Sequence, residues 1–113
     1  MNPIIWHNPR CSKSRETLAL IKAEGLTPTI VEYREIPPSE TEIRRALDLL
    51  GIKAAELIRK GEAIYKELGL DDADEETLIA AMSSHPILIE RPVVFANGKA
   101  ALGRPPEAVK AIL

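Results

Sequence analysis

The sequence predicts an α/β domain built on a four-stranded mixed sheet, with a helical insertion between the second and third strands. Three observations predict it. A β-α-β pattern occupies the first third, a hairpin with an Asn-Gly turn lies near the end, and amphipathic helical segments fill the stretch between them.

Ile4-Ile5-Trp6 is a short apolar run that enters a polar loop, His7-Asn8-Pro9-Arg10, and reads as a buried strand. After Cys11, the apolar positions Leu18, Leu20 and Ile21 share one side of a helix expected from Ser12 to Glu24, with Gly25 placed to stop it. Thr29-Ile30-Val31-Glu32-Tyr33 is β-branched and roughly alternating, a second strand. Two strands joined through a helix imply a parallel pair with a right-handed crossover. Ser39 then starts a capping box with Glu42, and Ile43, Ala46, Leu47 and Leu50 repeat at helical spacing before Gly51. Further helical segments are expected over Ala54 to Lys60, Ala63 to Leu68 and Glu75 to Met82, punctuated by Gly61 and Gly69 and ended by Pro86. The insertion thus covers about 39–84. Val93 to Ala96 and Lys99 to Leu102 flank Asn97-Gly98, a pair suited to a tight hairpin turn because both positions need positive φ. Pro105-Pro106-Glu107 opens a last helix running to the end, with proline tolerated in its first turn. Without the insertion this order, β-α-β then β-β-α, is thioredoxin-like, and residues 1–113 are expected to form a single domain.

A chain of 113 residues fits one compact core without disulfides or a structural metal. Its net charge is −2, with 15 basic and 17 acidic residues well mixed, so nothing marks a surface for nucleic acid or an anionic membrane. There is no apolar run long enough to span a bilayer, and the N-terminus lacks the basic and apolar regions of a signal peptide. The single cysteine excludes an internal disulfide and a multi-cysteine metal site. A reduced, cytoplasmic protein without a metal is the expectation.

Cys11 falls between the first strand and the first helix. Unpaired N–H groups and the positive end of the helix dipole favour an anion there, and such a location lowers a cysteine pKa. His7, Arg10, Lys13 and Arg15 lie within four residues, and no acidic residue occurs from Met1 to Arg15. The setting is too polar for a core cysteine. Cys11-Ser12-Lys13-Ser14 also has the outline of a redox Cys-x-x-Cys whose second cysteine is serine, so a mixed disulfide at Cys11 must be resolved by an external thiol. Elsewhere the residues alone leave alternatives open. Arg59 reads equally as a helix-end charge, Arg91 as an ion-pair partner of Glu90, and His7 as a structural histidine.

The segment His7-Asn8-Pro9-Arg10-Cys11-Ser12-Lys13-Ser14-Arg15 resembles the active site of the glutaredoxin-coupled arsenate reductases, the ArsC family. The resemblance continues, in the family's order, at Leu57-Ile58-Arg59-Lys60, at His85-Pro86-Ile87-Leu88-Ile89-Glu90-Arg91-Pro92-Val93-Val94, and at Gly103-Arg104-Pro105-Pro106-Glu107. It implies that Cys11 is the nucleophile and that His7 helps hold its thiolate. It further implies that Arg59, Arg91 and Arg104 bind the oxyanion and stabilise its thiol adduct, with Ser12 and Ser14 lining the same site. Forked, permanently charged guanidinium groups suit a tetrahedral oxyanion. Pro92 resembles the cis-proline that faces the cysteine in thioredoxin-like proteins. The implied partners are arsenate, glutathione as co-substrate and glutaredoxin, with no tightly bound cofactor. A monothiol oxidoreductase acting on glutathione mixed disulfides uses the same cysteine. A regulator similar to the Spx proteins shares the fold but typically carries both cysteines. The chain ends at Leu113, where some members continue into a longer tail.

Overall fold

The computed structural model of the protein describes residues 2–113. Its four strands are β1 (Ile4–Trp6), β2 (Thr29–Val31), β3 (Val93–Ala96) and β4 (Lys99–Leu102), hydrogen-bonded in the order β2-β1-β3-β4. β1 and β2 are parallel, while β1 with β3 and β3 with β4 are antiparallel, which is the thioredoxin-like mixed sheet that the sequence predicts. The five α-helices are α1 (Ser12–Ala23), α2 (Glu40–Leu50), α3 (Ala54–Leu57), α4 (Ala63–Glu67) and α5 (Glu75–Ser84).

The described residues divide into two compact units, one formed by 2–36 with 91–113 and the other by 37–90. The first unit holds the sheet, α1 and a C-terminal 3₁₀ helix over Pro106–Ile112. Its core joins Ile5, Ile21, Val94 and Val109, with Leu18, Leu26 and Ala101 packed around them. Asn97 and Gly98 both have positive φ, 53° and 75°, so the hairpin turns as its Asn-Gly pair requires. Gly25, at φ 81°, lies just beyond α1. Gly103 is constrained differently. Its N–H donates to the Pro92 carbonyl at 3.0 Å, and a Cβ there would lie 2.7 Å from Pro92 Cγ and collide with Thr17 Oγ1. Gly103→Ala is therefore expected to destabilise the protein by about 1–3 kcal/mol, the usual cost of overpacking. Thermal denaturation checks this, and an unchanged melting temperature would show that Thr17 and Pro92 have room to move.

The second unit is the helical insertion. The capping box forms as the sequence requires, with the Ser39 hydroxyl accepting from Glu42 N–H and the Glu42 carboxylate accepting from Ser39 N–H at 2.9 Å. Asp74 caps α5 through Thr77 N–H at 2.8 Å, and the Glu75 carboxylate accepts from Ala54 N–H at 3.0 Å at the start of α3. α2 packs on α5, burying Ile43, Ala46 and Leu47 of one and Leu78, Ile79 and Met82 of the other.

Four expected elements differ from those observed. The helix expected from Ala54 to Lys60 stops at Leu57, because Ile58 becomes extended and pairs with Ile89 across the unit. The second strand ends at Val31, and Glu32 to Ile36 form turns closed by Glu35 N–H and Ile36 N–H on the Glu32 carbonyl. Pro86 starts a 3₁₀ helix over Pro86–Leu88 instead of ending the helical region. The last helix is 3₁₀ and not α.

Candidate active site

The sheet register explains why the site residues of the first unit meet. His7 N–H donates to the Val31 carbonyl at 2.8 Å, one step beyond the β1–β2 ladder, so the loop 7–11 leaves the C-terminal end of two parallel strands. Loops at that end of a parallel pair commonly carry function. Trp6 pairs with Val93, and Val93 pairs with Leu102. The open end of the β3–β4 hairpin therefore lies beside that loop. Arg91 stands two residues before Val93 and Arg104 two residues after Leu102, so a four-by-four hairpin brings both arginines to the cysteine.

Asn8 shapes the loop. Its side-chain carbonyl accepts from Arg10 N–H at 3.0 Å, and its backbone carbonyl accepts from Cys11 N–H at 3.0 Å. Arg15 closes over it by donating from Nη1 to the Pro9 carbonyl at 3.0 Å. Ser14 is fully buried. Its Oγ accepts from Asn8 N–H at 3.0 Å and lies 2.6 Å from His7 Nδ1. His7 is itself buried, and burial pushes its pKa below 6.5; Glu32 opposes that, while Lys22 and Arg15 reinforce it. The ring is thus mostly neutral at pH 7, with one nitrogen a donor and the other an acceptor. Beside the loop is a polar cavity of about 320 Å³ whose walls include His7, Arg10, Glu32 and Arg34.

Cys11 is half-buried and occupies the N-cap position of α1, with extended backbone angles. No acidic residue stands in the first turn of that helix. Burial pushes the thiol up, but the Ser14 N–H, the Arg91 guanidinium and the Lys13 N–H together outweigh burial and hold its pKa below the ordinary cysteine value. Arg104 Nη2 lies 4.0 Å from Cys11 Sγ, and its Nε donates to the Arg91 carbonyl at 2.9 Å. Both Arg91–Pro92 and Arg104–Pro105 are cis. A stabilised thiolate flanked by two guanidinium groups and a helix N-terminus is built to attack a group that carries negative charge, and to hold the charge that accumulates.

Arg59 lies in the second unit. It follows the extended Ile58, and its N–H donates to the Leu88 carbonyl at 2.7 Å. Its guanidinium lies 3.5 Å from the Glu62 carboxylate and 3.9 Å from that of Glu90, while its buried Nη1 has no hydrogen-bond partner. Among the described residues no group of three or more His, Cys, Asp or Glu side chains is placed to hold a metal, and no helix is long and apolar enough to cross a membrane.

The family profile named ArsC matches residues 6–112. The chain belongs to the ArsC family. It is 54% identical over 112 residues to the uncharacterized protein YfgD of Escherichia coli K12, covering 96% of this chain and 94% of that one. An ArsC relative called arsenate reductase in Neisseria meningitidis is 46% identical over 112 residues, covering 96% of each chain. The solved structure of an arsenate reductase from Vibrio cholerae superposes with a TM-score of 0.97 at 48% identity, covering 100% of this chain and 98% of the other.

Of the residues that the ArsC pattern singles out, the first unit brings Cys11, Arg91 and Arg104 together. His7 reaches the cysteine's neighbourhood through Ser14, whose hydroxyl it shares with Asn8, while the Ser14 N–H serves the sulfur. Ser12 is exposed at the first position of α1. Asn8 and Tyr33 were not singled out by sequence. The signal that could have found Asn8 is the Asn-Pro pair in a loop, which marks turn chemistry. Tyr33 reads in sequence only as a strand residue.

Proposed function

We propose that this ArsC-family chain is an arsenate reductase in which Cys11 forms the thiol–arsenic bond. The observation that carries the proposal is the placement of Arg91 and Arg104 at the thiolate, on the open end of one hairpin. Arsenate is a tetrahedral oxyanion, and forked donors around an anionic nucleophile offset the repulsion between two negatively charged reactants. The relatives called arsenate reductases at 43–46% identity support the same reading.

In this reaction the Cys11 sulfur attacks arsenic(V), an S–As bond forms, and one As–O bond breaks with its oxygen leaving as water. Glutathione adds to the adduct and displaces a second oxygen as water. A glutaredoxin thiolate then attacks the glutathione sulfur, and the electron pair of the breaking S–As bond reduces arsenic(V) to arsenic(III). Hydrolysis releases arsenite and restores the Cys11 thiol, and a second glutathione resolves the glutaredoxin mixed disulfide. The chain has one cysteine, so the reducing thiols must be external. Arg59, whose Nη1 lacks an acceptor, has the chemistry for the third oxyanion-binding role that the family pattern assigns to it, and His7 and Ser14 hold the loop that presents the sulfur. In this reading the protein works in the cytoplasm, where glutathione and glutaredoxin are kept reduced.

A coupled assay tests the proposal. Arsenate-dependent NADPH consumption is expected with glutathione, glutaredoxin and glutathione reductase together, and not when glutathione is omitted. No arsenate dependence, with turnover on a glutathione mixed disulfide instead, would assign the chain as a monothiol oxidoreductase.

A further inference from the structure

Tyr33 is the largest fully buried side chain of the first unit, at 0% exposure, yet its hydroxyl oxygen has no hydrogen bond of ordinary geometry. Such a group is unusual, because a buried hydroxyl whose O–H has no acceptor loses its water and gains nothing for that proton in return. Packing does not require it, since phenylalanine would fill the same space. The position of Tyr33 in the chain is equally specific. It stands two residues beyond Val31, which pairs with Trp6, and so lies at the strand end from which the cysteine loop departs.

The charges that act on the hydroxyl show what it is near. Burial is the main effect and pushes the phenol up to about 12. Arg91 and Arg34 pull the other way, and Cys11 adds to the rise. The hydroxyl therefore stays protonated throughout the neutral range, beside the guanidinium and the sulfur between which an oxyanion must sit. An oxyanion has acceptors only. A phenol held next to Arg91 retains an O–H to give, even while its oxygen faces an Arg91 N–H.

We propose that the Tyr33 hydroxyl is an oxyanion ligand, donating its hydrogen bond to an oxygen of the arsenate that Arg91 holds at Cys11. This rests on the oxyanion-binding reading of the site. The O–H of the buried hydroxyl has no acceptor in the free protein because that acceptor arrives with the substrate. Tyr33 differs from the arginines in being neutral, so it adds direction to the site without lowering the thiol pKa.

The test is Tyr33→Phe, read by arsenate protection of Cys11 against iodoacetamide, with arsenate as the only ligand. The variant should need about 10- to 100-fold more arsenate for half-protection, the usual effect of losing a hydrogen bond to a charged group. The pH midpoint of alkylation without arsenate should not change, and the melting temperature should stay the same or rise. Equal arsenate dependence in both proteins would overturn the proposal. So would a weakened dependence accompanied by a lower melting temperature or a shifted thiol midpoint, since Tyr33 would then act through packing or through Cys11. No protection of the wild type at any arsenate concentration would overturn it together with the oxyanion site. Protection that weakens in Tyr33→Phe, with no turnover by the wild type in the coupled assay, would uphold the ligand role and remove the reductase reading.

Discussion

Replacing Cys11 with serine is expected to reduce arsenate-dependent NADPH consumption to background while leaving the fold intact. The sulfur is the site's only atom that can be an anion at pH 7 and also a leaving group for a reductive step. A serine hydroxyl remains protonated, is a weak nucleophile without a base beside it, and forms an arsenate ester from which no thiol can extract arsenic(III). The substitution should be structurally benign for a reason visible in α1. Cys11 is its N-cap, and serine is among the residues preferred there because its oxygen accepts from the N–H groups two and three positions on. Those groups belong to Lys13 and Ser14, the same ones that act on the thiolate. The melting temperature of Cys11→Ser should therefore match or exceed that of the wild type, so lost turnover reports on chemistry alone. Turnover retained in a folded variant would remove the nucleophile assignment.

The sheet was legible in the sequence because its determinants are local. Three apolar residues before a polar loop, a β-branched run and an Asn-Gly pair each specify their element without help from elsewhere, and chirality settles how the first two strands connect. The register then does what sequence spacing cannot state directly. It turns two arginines thirteen positions apart in the chain into one pair of neighbours beside Cys11. The same locality explains the misreadings. Leu57-Ile58-Arg59 looks helical, but Ile58 is drawn into an extended pairing with Ile89, a contact between residues far apart in the chain. The last segment carries proline at its start and becomes a 3₁₀ helix, a distinction that apolar spacing over seven residues does not make. Tyr33 was invisible as a site residue, since an aromatic at the end of a β-branched run is what a core strand displays. Only its complete burial and unmatched hydroxyl separate it from an ordinary packing residue.

Arg91→Ala should affect the site twice, and the two effects can be measured apart. The thiol pKa is a balance in which burial, the largest influence, pushes it up, and the Ser14 N–H, Arg91 and the Lys13 N–H bring it down. Without Arg91 the helix N–H groups and the more exposed Arg104 are left to oppose burial, so the pKa must rise and the thiolate fraction at neutral pH must fall. The rate of iodoacetamide alkylation against pH reads this directly, and its midpoint should move to higher pH. The second effect is on arsenate, which loses a charged donor. A hydrogen bond to a charged group contributes about 1.5–3 kcal/mol, so kcat/KM should fall by roughly 10- to 150-fold beyond what the reduced thiolate accounts for. The variant is a clean probe because Arg104 is held through the Arg91 backbone carbonyl, which survives the substitution. Arg104→Ala supplies the contrast. Its guanidinium is exposed and lies 4.0 Å from the sulfur, where solvent weakens its hold on the thiolate. Its loss should therefore raise KM for arsenate while the alkylation midpoint moves less than in Arg91→Ala. Arg91→Lys should recover most of the midpoint, a matter of charge, but little of the arsenate affinity, a matter of two donors in a fixed fork. An unmoved midpoint in Arg91→Ala would mean that the helix N–H groups and Arg104 hold the thiolate without it, and would leave Arg91 with the substrate only.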